Sequence, residues 1–171
     1  MRATHLEYLG FNPNAADANA IPTGGTFVTC VADAGQTLKT GDVVYFSAVG
    51  GKVSTSAIAA TVGPKFAGVV IGGDSLFDIQ NDISLTAPSL KTGLTAATAA
   101  QKVLIQITGI TRVVAGAAIA GASRVISGAT VGQVAIMPGA APQYTLGIAL
   151  ETAAAQGDVI KMLLQYSYIF Q

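Results

Sequence analysis

His5 is the only histidine in the chain, and histidine is the side chain that most often acts as a general base near neutral pH. A catalytic imidazole needs a packed shell of neighbours that holds it against the nucleophile. His5 lies within the first 25 residues, which are rich in turn and loop formers such as Asn12-Pro13-Asn14. We therefore do not expect catalysis by His5.

The acidic residues suggest two other kinds of site. Asp74, Asp78 and Asp82 fall in one region and could gather a hard cation such as Ca²⁺. Their spacing lacks the alternation and the internal glycine of a calcium loop, which favours a solvated acidic edge. Glu151 and Asp158 could contribute to a carboxylate pair for glycoside hydrolysis. Nothing in the sequence singles out two of the acids for that role.

The dipeptide Gly51-Lys52 has the order found at the end of a phosphate-binding loop. Val53 stands where that loop requires Ser or Thr, so Lys52 is better interpreted as the start of an exposed hairpin strand. Cys30 is the only cysteine, so neither an intrachain disulfide nor a thiolate metal cluster can form. The sequence offers no catalytic residue, metal ligand set or cofactor site, and we predict a protein that is not an enzyme and takes no cofactor.

Charge is sparse along the chain. Charged residues make up 11% of it, against roughly 25% in a typical soluble domain. The nine basic and nine acidic residues are spread singly, so no basic patch could follow a phosphate backbone, and we expect no nucleic-acid partner. Either other subunits cover much of the surface, or alanine inflates the hydrophobic fraction of 51%.

The sequence also argues against a membrane partner. Residues 1–7 contain no apolar h-region of a signal peptide, and no apolar run approaches the roughly 20 residues of a spanning helix. A transmembrane β-barrel agrees with the alternation and with the aromatic last strand, but not with the short strands and the missing signal. We expect a protein that is made in the host cytoplasm and binds no membrane.

The elements that would position any site look duplicated. Gly41–Val53 and Gly121–Val134 each run from a glycine through four residues to a large apolar residue and a serine, and then to Gly-Lys-Val or Gly-Gln-Val. The opening glycines are 80 residues apart, and Gly68 and Gly147, which open the next apolar strand of each copy, are 79 apart. This spacing predicts one β unit made twice, over about residues 26–90 and 102–171.

Short alternating segments between glycine turns predict strands. Lys102–Val114 is the longest clear strand of the middle, Thr95–Ala100 could form one or two helical turns, and residues 74–101 are the expected hinge. The pattern predicts an all-β fold, an antiparallel β-sandwich or barrel-like domain of residues 26–171 built from two related units. The main strands are expected at residues 26–31, 43–47, 52–56, 66–71, 102–114 and 158–170.

Two sets of apolar residues are candidates for contacts with a capsid or another subunit. Residues 1–25 are expected to form an extended N-terminal arm, which either lays apolar anchors on a neighbour or folds back over its own sheet. The last strand places an aromatic stripe on one face, which suits a core or a subunit interface. The candidates are Leu6, Tyr8, Leu9 and Phe11 in the arm, and Tyr166, Tyr168 and Phe170 in the last strand.

In Leu146–Ile160 a Gly-x-Ala-Leu-Glu-x-Ala strand runs through an alanine-rich turn into Gly-Asp-x-Ile. Together with Thr40–Tyr45, Gly51–Val53 and Phe66–Val70, this segment resembles the capsid cement, or head decoration, proteins of tailed bacteriophages. The resemblance covers about residues 38–71 and 102–165. The second copy departs from it in having Gly121-Ala122 in place of Gly-Asp.

The resemblance implies a β-domain on the outer surface of the virion capsid, commonly a homotrimer, that stabilises contacts between major capsid protein subunits. Its implied partners are the major capsid protein and other copies of this chain, and the family has no catalytic residues to carry over. The alternative is a head fibre or surface β-module that binds a receptor or glycan, against which the absence of Trp weighs. A small β-fold hydrolase would need a pocket of titratable groups that the sequence does not nominate.

Overall fold

Glycine turns divide the chain into short strands. The computed structural model describes residues 25–47, 50–55, 66–75, 95–138 and 143–169. None of these ranges contains a helix long and apolar enough to cross a membrane. The prediction of an all-β, barrel-like fold is confirmed. The strands are β1 (Phe27–Ala32), β2 (Thr37–Lys39), β3 (Val43–Phe46), β4 (Lys52–Ser54), β5 (Phe66–Gly73), β6 (Thr95–Thr98), β7 (Lys102–Gln106), β8 (Gly109–Val114), β9 (Arg124–Ser127), β10 (Val134–Ile136), β11 (Gln143–Ala149) and β12 (Val159–Ile169).

Five strands close into a barrel in the order β1-β4-β3-β5-β7, with β7 pairing back to β1. Neighbouring strands are antiparallel except β1 and β4, which are parallel. Closure removes the sheet edges and leaves an interior that side chains must fill. Strands β2 and β6 pair with each other and add side chains to this interior. The resulting barrel core consists of Cys30, Ala32, Leu38, Val44, Val53, Ala67, Val70, Ala96, Ala97, Val103 and Ile105.

The remaining strands form a five-stranded sheet in the order β10-β9-β11-β12-β8. A parallel bridge between Ala115, directly after β8, and Val134 of β10 joins the two edges of this sheet. The Gly116 N–H donates to the Val134 carbonyl over 2.7 Å beside the bridge. In the first barrel the equivalent join is the short parallel pairing of Ala32 with Val53. The second unit therefore has the strand connections of the first and is joined by a single bridge.

Matching backbone hydrogen bonds relate the two units. The Gly41 N–H donates to the Val70 carbonyl, and the Ala122 N–H donates to the Ala149 carbonyl, both over 2.8 Å. Gly41 and Ala122 also share a left-handed backbone, with φ of 90° and 63°. The same turn therefore opens β3 and β9, although only one of the two positions is a glycine.

The strand ladders shift the alignment of the two copies by one residue. Val44 of β3 lies opposite Gly68, and Val125 of β9 lies opposite Gly147. Strands β3 and β9 are thus 81 residues apart, where the motifs indicate 80. The motif of a large apolar residue before a serine occurs in both copies one register apart, and sequence alone does not reveal the slip.

The positions of Gly68 and Gly147 are glycines because a backbone carbonyl comes too close for a side chain. A Cβ on Gly68 would collide with the carbonyl oxygen of Gln106, and a Cβ on Gly147 would collide with that of Leu163. The strand register shifts next to each glycine. Glycine at such bulges lets a sheet bend tightly, as closure of a barrel requires.

A second cluster of buried side chains joins the two units. Strand β3 alternates so that Val44 points into the first barrel, while Val43 and Tyr45 point toward the second unit. Val69 of β5 faces the same way. This shared core consists of Val43, Tyr45, Val69, Val113, Ala115, Ile119, Val125, Val134, Leu146, Ala149, Ala153, Ile160, Met162 and Leu164.

The segment Lys102–Val114 differs from the single strand expected. It forms β7 in the first barrel and β8 in the second unit. The side-chain amide of Gln106 donates to the Thr108 and Ile110 carbonyls over 2.9 and 3.0 Å and fixes the crossing. Both halves alternate, so the pattern does not show the break. Residues 102–106, which the sequence places in the second unit, pair within the first barrel.

The segment Thr95–Ala100 is not helical in the structure but contains strand β6. Ala97 lies opposite Leu38 of β2, and both Ala96 and Ala97 are fully buried. The helix preference of alanine amounts to a fraction of a kcal/mol per residue, so burial against Leu38 decides the conformation. Most of the expected hinge and the arm, residues 76–94 and 1–24, lie outside the described residues.

Candidate interaction surface

One end of the first barrel is open and apolar. The starts of β1 and β5 and the ends of β3 and β7 meet there, as their antiparallel registers require. The opening, here named the barrel mouth, encloses about 280 Å³. This is near the lower limit of the roughly 300–1,000 Å³ of small-molecule sites. Its lining consists of Val28, Cys30, Phe46, Phe66, Ala67, Ile105, Ile107 and Tyr166.

Alternation in β1 and β7 produces the apolar lining. Val28 and Cys30 lie two residues apart in β1, and Val28 is paired with Ile105 of β7. Cys30, Ala67 and Ile105 also belong to the barrel core, so the floor of the mouth is the top of that core. Because Cys30 and Ala67 are small, the core does not reach the rim and a groove remains.

The rim of the barrel mouth exposes large apolar side chains. Val28, Phe46 and Tyr166 are 39%, 41% and 42% exposed. Single exposed apolar residues are ordinary, but several around one groove are typical of an interaction site. None of the lining residues is charged, and burial raises the pKa of the Cys30 thiol. The mouth is therefore suited to apolar contact and not to acid–base chemistry.

A row of aromatic rings connects the barrel mouth to the second unit. Phe66 stacks on Tyr166 with ring centroids 5.5 Å apart, and Tyr166 stacks on Tyr144 at 5.7 Å with an interplanar angle of 7°. Tyr45 meets Phe66 edge-on at 6.1 Å. Loss of solvation raises the pKa of both Tyr45 and Tyr166. The row gives one wall of the mouth a rigid, amphipathic surface.

The junction of the two units holds a half-buried carboxyl group. Asp42 Oδ2 accepts a hydrogen bond from the Lys39 N–H over 2.8 Å, and the next residue, Val43, donates its N–H to the Gly132 carbonyl over 2.8 Å. Loss of solvation raises the pKa of Asp42 to about 6, against the opposing effects of the Lys39 hydrogen bond and charge. Asp42 lies beside the contact between units and not in a cleft, so we assign it a structural role.

The other acids considered from sequence accept hydrogen bonds that stabilise turns. Asp74 accepts one from a backbone N–H of β7 over 2.8 Å, and Asp158 accepts two from its own turn over 2.7 and 2.9 Å. Glu151 lies 2.9 Å from the ammonium group of Lys161. Across the described ranges, no group of three or more His, Cys, Asp or Glu could hold a metal ion. His5, Asp78 and Asp82 lie outside the described residues.

Comparison with known proteins adds one finding. No protein-family model matches the chain, and no curated protein matches it in sequence. Among solved structures, the crystal structure of the head fibre gp8.5 N base of bacteriophage phi29 superposes with a TM-score of 0.51 at 12% identity, over 86% of this chain and 100% of that one. The two folds are similar. At this identity the likeness concerns the fold alone.

Of the seven candidate contact residues, the structure describes Tyr166 in full. A register shift in the β11–β12 ladder, between the pairs Thr145–Ser167 and Gly147–Leu164, interrupts the alternation at this point. The aromatic stripe therefore does not simply continue the buried face. For Tyr168 the structure gives only its backbone pairing, and the residues outside the described ranges are Leu6, Tyr8, Leu9, Phe11 and Phe170.

The sequence did not single out Val28, Phe46 or Phe66, which line the barrel mouth. Each lies in a predicted strand with an apolar alternation, which indicates burial equally well. The useful signal was the small size of Cys30 and Ala67 on the same inward face. That signal has meaning only once strand order is known.

Proposed function

We propose that this chain is a structural protein of the outer surface of a tailed-bacteriophage head. The observation that carries the proposal is the fold similarity to the phi29 head fibre base, over 86% of the chain. The motifs in Thr40–Tyr45 and Leu146–Ile160, which resemble head decoration proteins, support the same class independently. The closed barrels support a role that needs a rigid, protease-resistant module.

The finer proposal is a cement protein. Copies of the chain bind the major capsid protein, associate as a homotrimer, and hold neighbouring capsid subunits together. An interface of about 800 Å² per partner is ordinary for specific contacts, and attachment at several points multiplies weak contacts through effective concentration. The proposed contact residues are Leu6, Tyr8, Leu9, Phe11, Tyr166, Tyr168 and Phe170.

A fibre or receptor-binding module is the second candidate, because the structural neighbour is itself the base of a head fibre. In that case the chain attaches to the head but presents a binding surface outward. The aromatic row would be the surface to test for glycans, since stacked tyrosines offer faces to sugar rings. In either case we propose no enzymatic activity.

Co-sedimentation with purified expanded heads that lack this protein tests the proposal. We expect saturable binding to the heads and a rise in the temperature at which they break open. Binding without any change in that temperature, together with a hit on a glycan array, would favour the fibre or receptor module. Absence of binding to heads would contradict both.

A further inference from the structure

We propose that the barrel mouth of one copy receives the N-terminal arm of a neighbouring copy, through Leu6, Tyr8, Leu9 and Phe11. The inference rests on the self-association in the proposed function and names the segment and its receptor. It concerns contacts between copies of this chain only, so it is testable without heads.

The chemistry of the groove and of the arm match. The barrel mouth is lined only by uncharged residues and exposes Val28 and Phe46 at its rim. Its volume of about 280 Å³ suits one or two large side chains and not a cofactor. Within residues 1–20 the large apolar side chains, apart from Met1, are confined to residues 6–11. One such anchor per groove is the usual pattern of peptide docking.

The point at which the arm leaves the barrel favours a neighbour's mouth over its own. The Thr26 carbonyl accepts a hydrogen bond from Ile107 over 2.8 Å, so the chain is held against the end of β7. Gly25, the first described residue, lies against the Gln106 side chain and Gly109. Gln106 is on the face of β7 opposite to Ile105, which lines the mouth. The arm therefore departs beside the second unit and not across the groove.

The linker between the anchors and the barrel is long enough to reach another copy. Residues 12–24 are turn and loop formers, and a chain of this length extends to roughly 45 Å. A domain of this size has a radius of gyration of about 15 Å, so the arm can cross a neighbouring molecule. Each copy has one arm and one mouth, and head-to-tail contacts of this kind close into a ring.

Cys30 provides a direct probe, because it is the only cysteine of the chain and lies in the lining of the barrel mouth. We would measure its rate of labelling by a maleimide in the full chain and in a chain lacking residues 1–20. We expect labelling of the full chain to be about tenfold slower at high protein concentration, the change that burial of one large apolar side chain produces. Equal rates would overturn the arm as the occupant.

Mixing experiments decide between a neighbour's arm and the chain's own. Full-length Cys30→Ala protein, which cannot be labelled, should slow the labelling of the arm-deleted protein in proportion to its concentration. Protection of the full chain should also disappear on dilution. Protection that does not change on dilution, with no effect of the added protein, would place each arm in its own barrel and overturn the contact between copies.

Point variants keep the test valid if the deletion does not fold. The full-length double variant Leu6→Ser and Phe11→Ser should label at the fast rate, while Asn12→Ser and Asn14→Ser, in the same arm, should label at the slow rate. Phe46→Ser at the rim should abolish protection, whereas Val131→Ser, which is 52% exposed in the turn before β10, should not. Heads that bind a chain without arm exchange would contradict this inference alone; arm exchange without head binding would contradict the proposed function alone.

Discussion

Gly147 is the residue at which the fold should tolerate a side chain least, since a Cβ there would collide with the Leu163 carbonyl of β12. We expect Gly147→Ala to lower the free energy of unfolding by about 3 kcal/mol, at the upper end for overpacking, because that carbonyl is held in the sheet. Urea unfolding measures the change. Gly50→Ala is the matched control: Gly50 has nothing within 4 Å of an added Cβ, so its effect should stay within about 0.5 kcal/mol. Equal effects would contradict the account of the bulge.

Asp42 should make stability depend on pH near neutrality. Its pKa is raised to about 6 in the folded chain by lost solvation, above its ordinary value of 3.8, so folding favours the protonated form. Its contribution to stability is present below pH 4 and is lost as the pH rises through 6. Asp42→Asn should therefore be more stable than wild type at pH 7.5, by on the order of 2 kcal/mol, and similar to it at pH 4. Urea titrations at both pH values measure the difference.

Asp33 provides a control of opposite sign for the Asp42 experiment. A hydrogen bond from the Ala34 N–H, followed by one with Ser47, lowers the pKa of Asp33. Its contribution to stability is therefore present above its ordinary pKa and is lost as the pH falls. A variant Asp33→Asn that flattened the same pH window as Asp42→Asn would contradict the assignment of that window to Asp42.

At the scale of elements, the two units should respond alike to equivalent truncations. Leu38 of β2 lies opposite Ala97, and Ile119 forms the matching bridge with Ala153 in the second unit. Both Leu38 and Ile119 are fully buried. Leu38→Ala and Ile119→Ala should each cost about 2–5 kcal/mol in unfolding free energy. A loss below about 1 kcal/mol for Ile119→Ala would show that the second unit does not depend on this contact.

The strands that the sequence predicted correctly are those in which alternation and flanking glycines agree, such as β3, β5 and β12. Strand β6 was missed because alanine carries no strand signal until Leu38 is known to lie opposite. The break between β7 and β8 was missed because alternation continues through it. Which strands pair, and that β1 and β4 run parallel, follow from closure of the barrel, a property of the whole chain.

The candidate site was less predictable than the fold. Tyr166 was singled out as an exposed or interface aromatic, and it lines the barrel mouth. Val28, Phe46 and Phe66 come from three different strands, and nothing local distinguishes a rim position from a core position. The groove results from small residues below the rim, which only the assembled barrel brings together.

At the scale of the whole molecule, the shared core should make unfolding a single event. Val43, Tyr45 and Val69 of the first unit are buried among side chains of the second. We expect circular dichroism and tyrosine fluorescence to report coincident transitions, as for a two-state domain. Val69→Ala should shift both traces together. Two separated transitions would contradict the idea that one core serves both units.

The two corresponding hairpins of the duplicated units have opposite surroundings. Gly51 and Gly132 share the same backbone, with φ of 76° and 77°, yet Gly51 meets nothing within 4 Å while Gly132 is pressed against Asp42. Duplication therefore left one turn as a joint and its twin as a vacant address. A foreign epitope spliced between Gly50 and Gly51 would be carried outward without disturbing either barrel, and on a particle with many copies it would be displayed as a dense, regular array.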